Sequence, residues 1–128
     1  MAKEFSLIGS LSAYSKRSSI VLDCGEGSHA QLMRLYGGNA HEVFRTIDAI
    51  YVSHIHGDHH LGLVDMIRER AKAFKGNKLK PLVLFAPEAL RAWLEYTRKY
   101  LLQDVQIMFV PLNALVSDSI SSPRKRIY

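Results

Sequence analysis

Four residues of ligand type fall within six positions of this sequence. They are His54, His56, Asp58 and His59, in the run Ser53-His54-Ile55-His56-Gly57-Asp58-His59-His60. Imidazole nitrogen and carboxylate oxygen are donors that suit zinc. Alternate residues at the end of a strand point to one side, so His54 and His56 can present nitrogens to one cation. Gly57 lets the chain bend, and Asp58 and His59 can then supply an oxygen and a nitrogen to a second cation beside the first. Two ions about 3.5–4 Å apart polarise a phosphoryl oxygen and stabilise a leaving oxygen, so hydrolysis is the chemistry such a centre suits best. The competing reading is a polar loop whose histidines only cap or hydrogen-bond the backbone. That reading serves for a lone histidine, but four such residues directly after a buried strand favour metal ligation. His60 has two readings of equal standing, a donor supporting the site from behind or a side chain facing solvent.

The elements that must hold these residues follow from the apolar pattern. Ser19-Ile-Val-Leu-Asp23 reads as a short buried strand, after which Gly25 and Gly27 allow a sharp turn. A helix capped by Ser28 follows, with Leu32, Leu35 and Tyr36 on one face and Gly37-Gly38 ending it. A short helical stretch from His41 to Ile47 leads to a second strand, Ala49 to Ser53, which delivers the histidine loop. Beyond the loop, Leu63, Met66, Ile67, Ala71 and Phe74 recur at helical spacing, with Asp65, Arg68, Glu69 and Lys72 opposite, until Gly76. Pro81 to Ala86 is a third strand, with Pro87 at a first helical position. The next helix buries Leu90, Trp93, Leu94 and Leu101, and a last strand runs from about Val105 to Val110. Strands alternating with helices predict an α/β layered domain over residues 1–116, with a basic, disordered tail over 117–128.

Composition bounds the function without naming it. With 128 residues, 48% hydrophobic and 23% charged, the chain suits one globular domain or a piece of one. A two-metal α/β enzyme commonly takes roughly twice that length, which is near the upper end of the single-domain range. Cys24 is the only cysteine, so an internal disulfide and a cysteine-built zinc site are excluded, and a reducing, intracellular compartment is expected. No apolar run approaches the roughly 20 residues that span a bilayer, so no membrane partner is expected. Lys3, Lys16 and Arg17 among serines suggest a targeting segment only faintly, because Glu4 interrupts them. The net charge of +5 suits a polyanion such as RNA. The basic groups Lys72, Lys75, Lys78, Lys80 and Arg124, Lys125, Arg126 read equally as solvated surface.

His-x-His-x-Asp-His resembles the metal-binding motif of the metallo-β-lactamase superfamily. Asp23-Cys24-Gly25-Glu26-Gly27 with Gln31-Leu32, and His54-x-His56-Gly57-Asp58-His59-His60-x-Gly62-Leu63, are similar to ribonuclease Z (tRNase Z), above all the catalytic half of its long form. The likeness runs from Ser19 to Trp93 and includes Arg68-Glu69-Arg70 and the Ala86-Pro87 turn. The resemblance implies a partial metallo-β-lactamase fold, the N-terminal portion of an αββα layered sandwich. It implies one zinc on His54 and His56 and another on Asp58 and His59, with Asp58 also catalytic through the attacking water. Asp23 would support the site from behind; as a bare residue it reads as a turn-forming acid after a strand. The implied reaction is endonucleolytic removal of the 3′ trailer from precursor tRNA, in the nucleus or mitochondrion for a long form and otherwise in the cytoplasm.

The sequence also departs from that family. All six histidines lie at or before His60, so the later zinc-binding histidines and the acid pair of the family are missing. Asp104 and Asp118 are the only aspartates after Asp65, and neither stands in a family context. A catalytic zinc normally keeps three protein ligands, whereas each ion here would have about two. Leu7-Ile8-Gly9-Ser10 matches the family's glycine-rich opening strand only in part, and a tRNA-gripping arm is not found. A truncated chain of low activity is therefore expected, completed by another chain or a homodimer. The alternatives are a non-catalytic RNA- or partner-binding remnant and another hydrolase of the superfamily.

Overall fold

Short apolar strands gain stability only by pairing and by covering a face, and here they do both in one sheet. The computed structural model describes residues 6–9 and 18–117. Its strands are β1 (Ser6–Gly9), β2 (Ser19–Leu22), β3 (Ile47–Tyr51), β4 (Leu82–Ala86) and β5 (Ile107–Pro111), ordered β1-β2-β3-β4-β5. β1 runs antiparallel to β2 and the remaining pairs are parallel. Parallel neighbours need crossovers, which are supplied by α1 (Ser28–Tyr36) with α2 (Ala40–Thr46), by α3 (Gly57–His60) with α4 (Leu63–Ala73), and by α5 (Arg91–Leu101). The helix α6 (Leu112–Ser117) closes the described chain. Among the described residues no helix is long and apolar enough to cross a membrane.

The two faces of the sheet are unequal. Val21, Ile50 and Leu84 lie side by side in register and are fully buried, in one cluster with Leu32 of α1, Phe44 of α2, Leu63, Met66 and Ile67 of α4, and Leu94 of α5. Every long crossover therefore packs on the same side. The opposite side carries Ile20, Val83 and Met108 in one row and Leu22, Tyr51, Phe85 and Val110 in the next, half-buried or exposed. A sheet apolar on both faces belongs to a layered interior, and among the described residues this one is clad on one face only. A register slip between Ser19 and Ile20 places Asp48 as an extra residue on β3. Both Ile47 and Ile50 consequently reach the core.

The strands, helices and order follow the sequence pattern, while several details do not. β3 and β5 each begin and end away from the expected bounds, because pairing starts at Ile47 and Ile107. Ser28 is the first helical residue and not the cap; Gly27, with φ +79°, takes that position. The Ser28 hydroxyl instead donates to the Gly25 carbonyl at 2.7 Å. In α1 only Ser28 and Leu32 are buried, and Leu35 is 73% exposed because it lies off that i, i+4 stripe. Leu101 is also exposed, since the helix breaks at Leu102 (φ −132°, ψ 41°) and turns Leu102 inward in its place. Pro87 precedes a short 3-10 turn, Glu88–Leu90, rather than opening the helix. The expected tail lies outside the described residues apart from Ser117, which ends α6.

Sequence periodicity also failed to mark Arg70 as interior. It is buried in α4, where Nε donates to the Ile47 carbonyl at 2.5 Å and Nη1 to the Lys80 carbonyl at 3.0 Å, tying the starts of β3 and β4 together. Its guanidinium also lies 5.0 Å from the Phe74 ring centre. Burial lowers its pKa, and Asp48 acts in the opposite sense. Replacing it tests whether the two bonds outweigh the cost of burying a charge. Arg70→Met strands two carbonyls, so urea unfolding should show a loss of about 1–3 kcal/mol. A variant as stable as wild type would mean that burying the charge costs as much as the bonds contribute.

Candidate metal centre

The parallel strands β2 and β3 end side by side, and the chain turns out of both at the same edge. Asp23, just past β2, adopts φ +56°, a left-handed conformation that aspartate tolerates better than most residues. Its N–H donates to the Tyr51 carbonyl at 2.7 Å, and the turn aims its carboxylate at the segment leaving β3. Ser53 N–H donates to Asp23 Oδ1 at 2.8 Å, and Nδ1 of His59 lies 2.8 Å from Oδ2. Burial pushes the Asp23 carboxyl up, but the Ser53 N–H, His59 and the Ser53 hydroxyl together outweigh it and hold the group below its ordinary value. At neutral pH Asp23 is a carboxylate. It is a charge placed under the histidine loop.

A backbone clamp fixes that loop. Cys24 N–H donates to the His59 carbonyl at 2.8 Å, and Gly62 N–H donates back to the Cys24 carbonyl at 3.0 Å. The approach is close enough that a Cβ on Gly25 would collide with the backbone of Asp58, and one on Gly62 with the backbone of Gly25. Between these bonds the chain forms α3, the single turn that carries Asp58 and His59.

The result is a compact group of imidazoles. The His54 and His59 ring centres are 3.7 Å apart at 46°, and those of His54 and His56 are 4.7 Å apart and nearly perpendicular. His59 is buried, whereas His56 and Asp58 are exposed. Nε2 of His59 stands 3.5 Å from Asp58 Oδ1. Two donors each about 2.1 Å from one tetrahedral zinc would stand roughly 3.4 Å apart, so this pair has the spacing of two ligands on one ion. Among the described residues no three His, Cys, Asp or Glu side chains form a group that could hold an ion. His60 turns elsewhere, its Nδ1 3.0 Å from the His56 carbonyl and its ring edge-on to Trp93 at 5.4 Å. It braces the loop backbone against α5.

The geometry can be set beside known proteins. A family model described as "Anti-Pycsar protein Apyc1" matches residues 10–111. The chain belongs to that family. Human zinc phosphodiesterase ELAC protein 2 is 43% identical over 114 residues, which is 85% of this chain and 14% of the relative. The mitochondrial ribonuclease Z of Drosophila melanogaster is 45% identical over 78 residues, 60% of this chain and 10% of the relative. A long form RNase Z from yeast, solved by crystallography, superimposes with a TM-score of 0.60 at 24% identity, covering 80% of this chain and 14% of that one. The fold is the metallo-β-lactamase fold, and the resemblance to ribonuclease Z read from the motifs holds as a relationship of sequence. The chain spans about one seventh of the length of the first relative.

Two roles at the site lie beyond the sequence pattern. By sequence Ser53 is only the last residue of a strand, yet its hydroxyl lies within reach of both Asp23 and His54. Gly25 and Gly62 had a visible signal, since each flanks one of the two loops, but only the fold shows that they meet. The basic cluster is displaced from the chemistry. α4 leaves the histidine loop and runs about 16 Å away from it, and Lys72, Lys75, Lys78 and Lys80 are all exposed beyond Arg70, at the opposite pole of the sheet.

Three expected outcomes follow from the clamp. Burial, with Asp65 and Asp23 adding to it against a Ser28 hydrogen bond, pushes the Cys24 thiol up to about 12 from an ordinary 9.0. Native protein at pH 8 should leave a thiol reagent unreacted until denaturant is added. A folded pKa above the unfolded one gives stability that is complete below pH 9 and is lost as pH rises toward 12. Cys24→Ala should flatten that part of the alkaline limb, and a thiol that reacts at once in native buffer would contradict the buried placement. Gly62→Ala forces the two loops apart and should cost about 2 kcal/mol or more in urea unfolding; an unchanged midpoint would show that the loops do not meet as described.

Proposed function

We propose that this chain carries the metal-binding part of a zinc-dependent endoribonuclease of ribonuclease Z type, which removes the 3′ trailer from precursor tRNA. One observation carries the reading: His54, His56, Asp58 and His59 gather at the end of β3 over the Asp23 carboxylate. Its relatives named zinc phosphodiesterase and ribonuclease Z agree with it. His54 and His56 would hold one zinc, and Asp58 and His59 the other. Bound zinc would polarise a phosphoryl oxygen and stabilise the leaving oxygen. The chain's own residues do the rest. Asp23 orients His59, Asp58 takes up the proton of the attacking water at its carboxylate, and His60 keeps the loop seated against Trp93.

Four donors shared between two ions fall short of the three protein ligands that a catalytic zinc ordinarily keeps. Isolated, the chain should bind zinc weakly and cleave little. The apolar sheet face bearing Val83, Phe85 and Met108 supports a completing segment or a second copy laid against it. We place the protein inside the cell, with the mitochondrion favoured by the names of two relatives. Precursor tRNA is the substrate in this reading, and the exposed lysines lie apart from the cleaving residues.

Zinc per chain, measured by mass spectrometry after dialysis, should be below two, and a 3′-extended precursor tRNA should remain nearly uncut. Robust cleavage that disappears in Asp58→Ala would overturn the expected weakness while upholding the endonuclease. Salt-sensitive tRNA binding that survives His54→Ala, with no zinc taken up by a form extended with the missing ligands, would favour a non-catalytic RNA-binding module instead.

A further inference from the structure

Ser53 has one hydroxyl proton and two neighbours that could receive it. Its Oγ lies 2.9 and 3.0 Å from the two Asp23 carboxylate oxygens and 2.8 Å from Nδ1 of His54. An ionised carboxylate only accepts hydrogen bonds, so an oxygen lone pair turned toward both of its oxygens would be repelled. A hydroxyl donating to a carboxylate also makes the stronger, charge-assisted bond. The proton therefore points to Asp23. Oγ is then left with lone pairs alone for His54, and the bond between them exists only if Nδ1 of His54 carries hydrogen.

His59 reaches the same state without an intermediary. Its Nδ1 is 2.8 Å from Asp23 Oδ2, and the Ser53 oxygen is farther off at 3.4 Å. In a neutral imidazole protonated on Nδ1, Nε2 bears the lone pair. We propose that Ser53 is a positioning residue that passes the Asp23 charge on to His54, so that one carboxylate fixes the tautomer of two imidazoles and makes Nε2 the donor nitrogen of both. The Nδ1 proton on each ring follows from the contacts with Ser53 and Asp23, while Nε2 of His59 also faces Asp58 Oδ1 at 3.5 Å. What the two Nε2 atoms then bind rests on the zinc reading given above.

This arrangement explains why a serine precedes the first histidine. Alanine there would remove the Ser53 oxygen from His54 Nδ1 and favour the Nε2–H form that imidazole prefers in water, which turns a hydrogen toward the ion. Threonine keeps the hydroxyl. A residue that merely fills space would not distinguish these two replacements in the way the relay does.

The test uses the whole 128-residue chain, metal-free, with 15N-labelled histidine. Long-range proton–nitrogen correlation at pH 8 reads the tautomer of each ring, with His54→Gln and His59→Gln used for assignment. Wild type should show Nδ1–H on both His54 and His59. Ser53→Ala should return His54 to Nε2–H while His59 keeps Nδ1–H, and Ser53→Thr should restore His54. Calorimetry with zinc chloride should show affinity falling roughly tenfold in Ser53→Ala and recovering in Ser53→Thr. His54 found as Nε2–H in wild type overturns the relay, and so does a His54 signal that ignores Ser53→Ala. Should Ser53→Ala not fold, the wild-type spectrum decides alone. The expected tautomers with no zinc taken up, either by this chain or by a form extended with the missing ligands, would uphold the relay and sink the metal reading; zinc uptake with His54 as Nε2–H would do the reverse.

Discussion

The site depends on a backbone contact before it depends on any side chain. The turn after β2 and the turn after β3 are held together by reciprocal bonds through Cys24, His59 and Gly62, at a separation that two glycines alone permit. Strand pairing brings the two turns to the same edge, but pairing ends at Leu22 and Tyr51 and could leave the loops free to splay. The clamp removes that freedom. It fixes where α3 starts and therefore which way Asp58 and His59 project. A four-residue helical turn has no stability of its own, so its shape is borrowed from the contact beneath it.

On that base, a single charge organises the polar groups. The Asp23 carboxylate receives Ser53 N–H, the Ser53 hydroxyl and His59, which is unusually full satisfaction for a group at a loop. The left-handed conformation at Asp23 costs on the order of 1 kcal/mol, and several charge-assisted bonds offset it. Removing those bonds would leave the strain. The same carboxylate thus sets the conformation of its own turn, the direction of the next loop and the orientation of the buried histidine.

How much of this was legible in the sequence depends on the range of the interaction. The strand and helix order was readable because apolar spacing is local, and Leu63, Met66 and Ile67 announced their face directly. The ligand cluster was readable because its members are neighbours in the chain. Leu35 and Leu101 misled because periodicity assumes that a helix is covered along its whole length, whereas α1 is buried along one thin stripe and α5 breaks at Leu102. Arg70 could not be found by pattern, since charge ordinarily argues for the surface and its acceptors lie at Ile47 and Lys80. Ser53, Gly25 and Gly62 act on partners some thirty residues or more away, and no window along the chain contains both ends.

The sheet face left bare by the described residues and the short supply of ligands are two views of one physical situation. Val83, Phe85 and Met108 stand on the face away from the helices, where a one-sheet protein would carry polar residues. The histidine cluster opens at the edge of that same sheet, with His56 and Asp58 exposed. A second layer laid on the apolar face would end beside the cluster, so one contact could both shield the strands and bring further donors within reach. The lysines beyond Arg70 stand apart from the cluster, because α4 carries them to the far pole. The edge where the strands end and the apolar face beside it are therefore the surfaces from which further donors could reach the cluster.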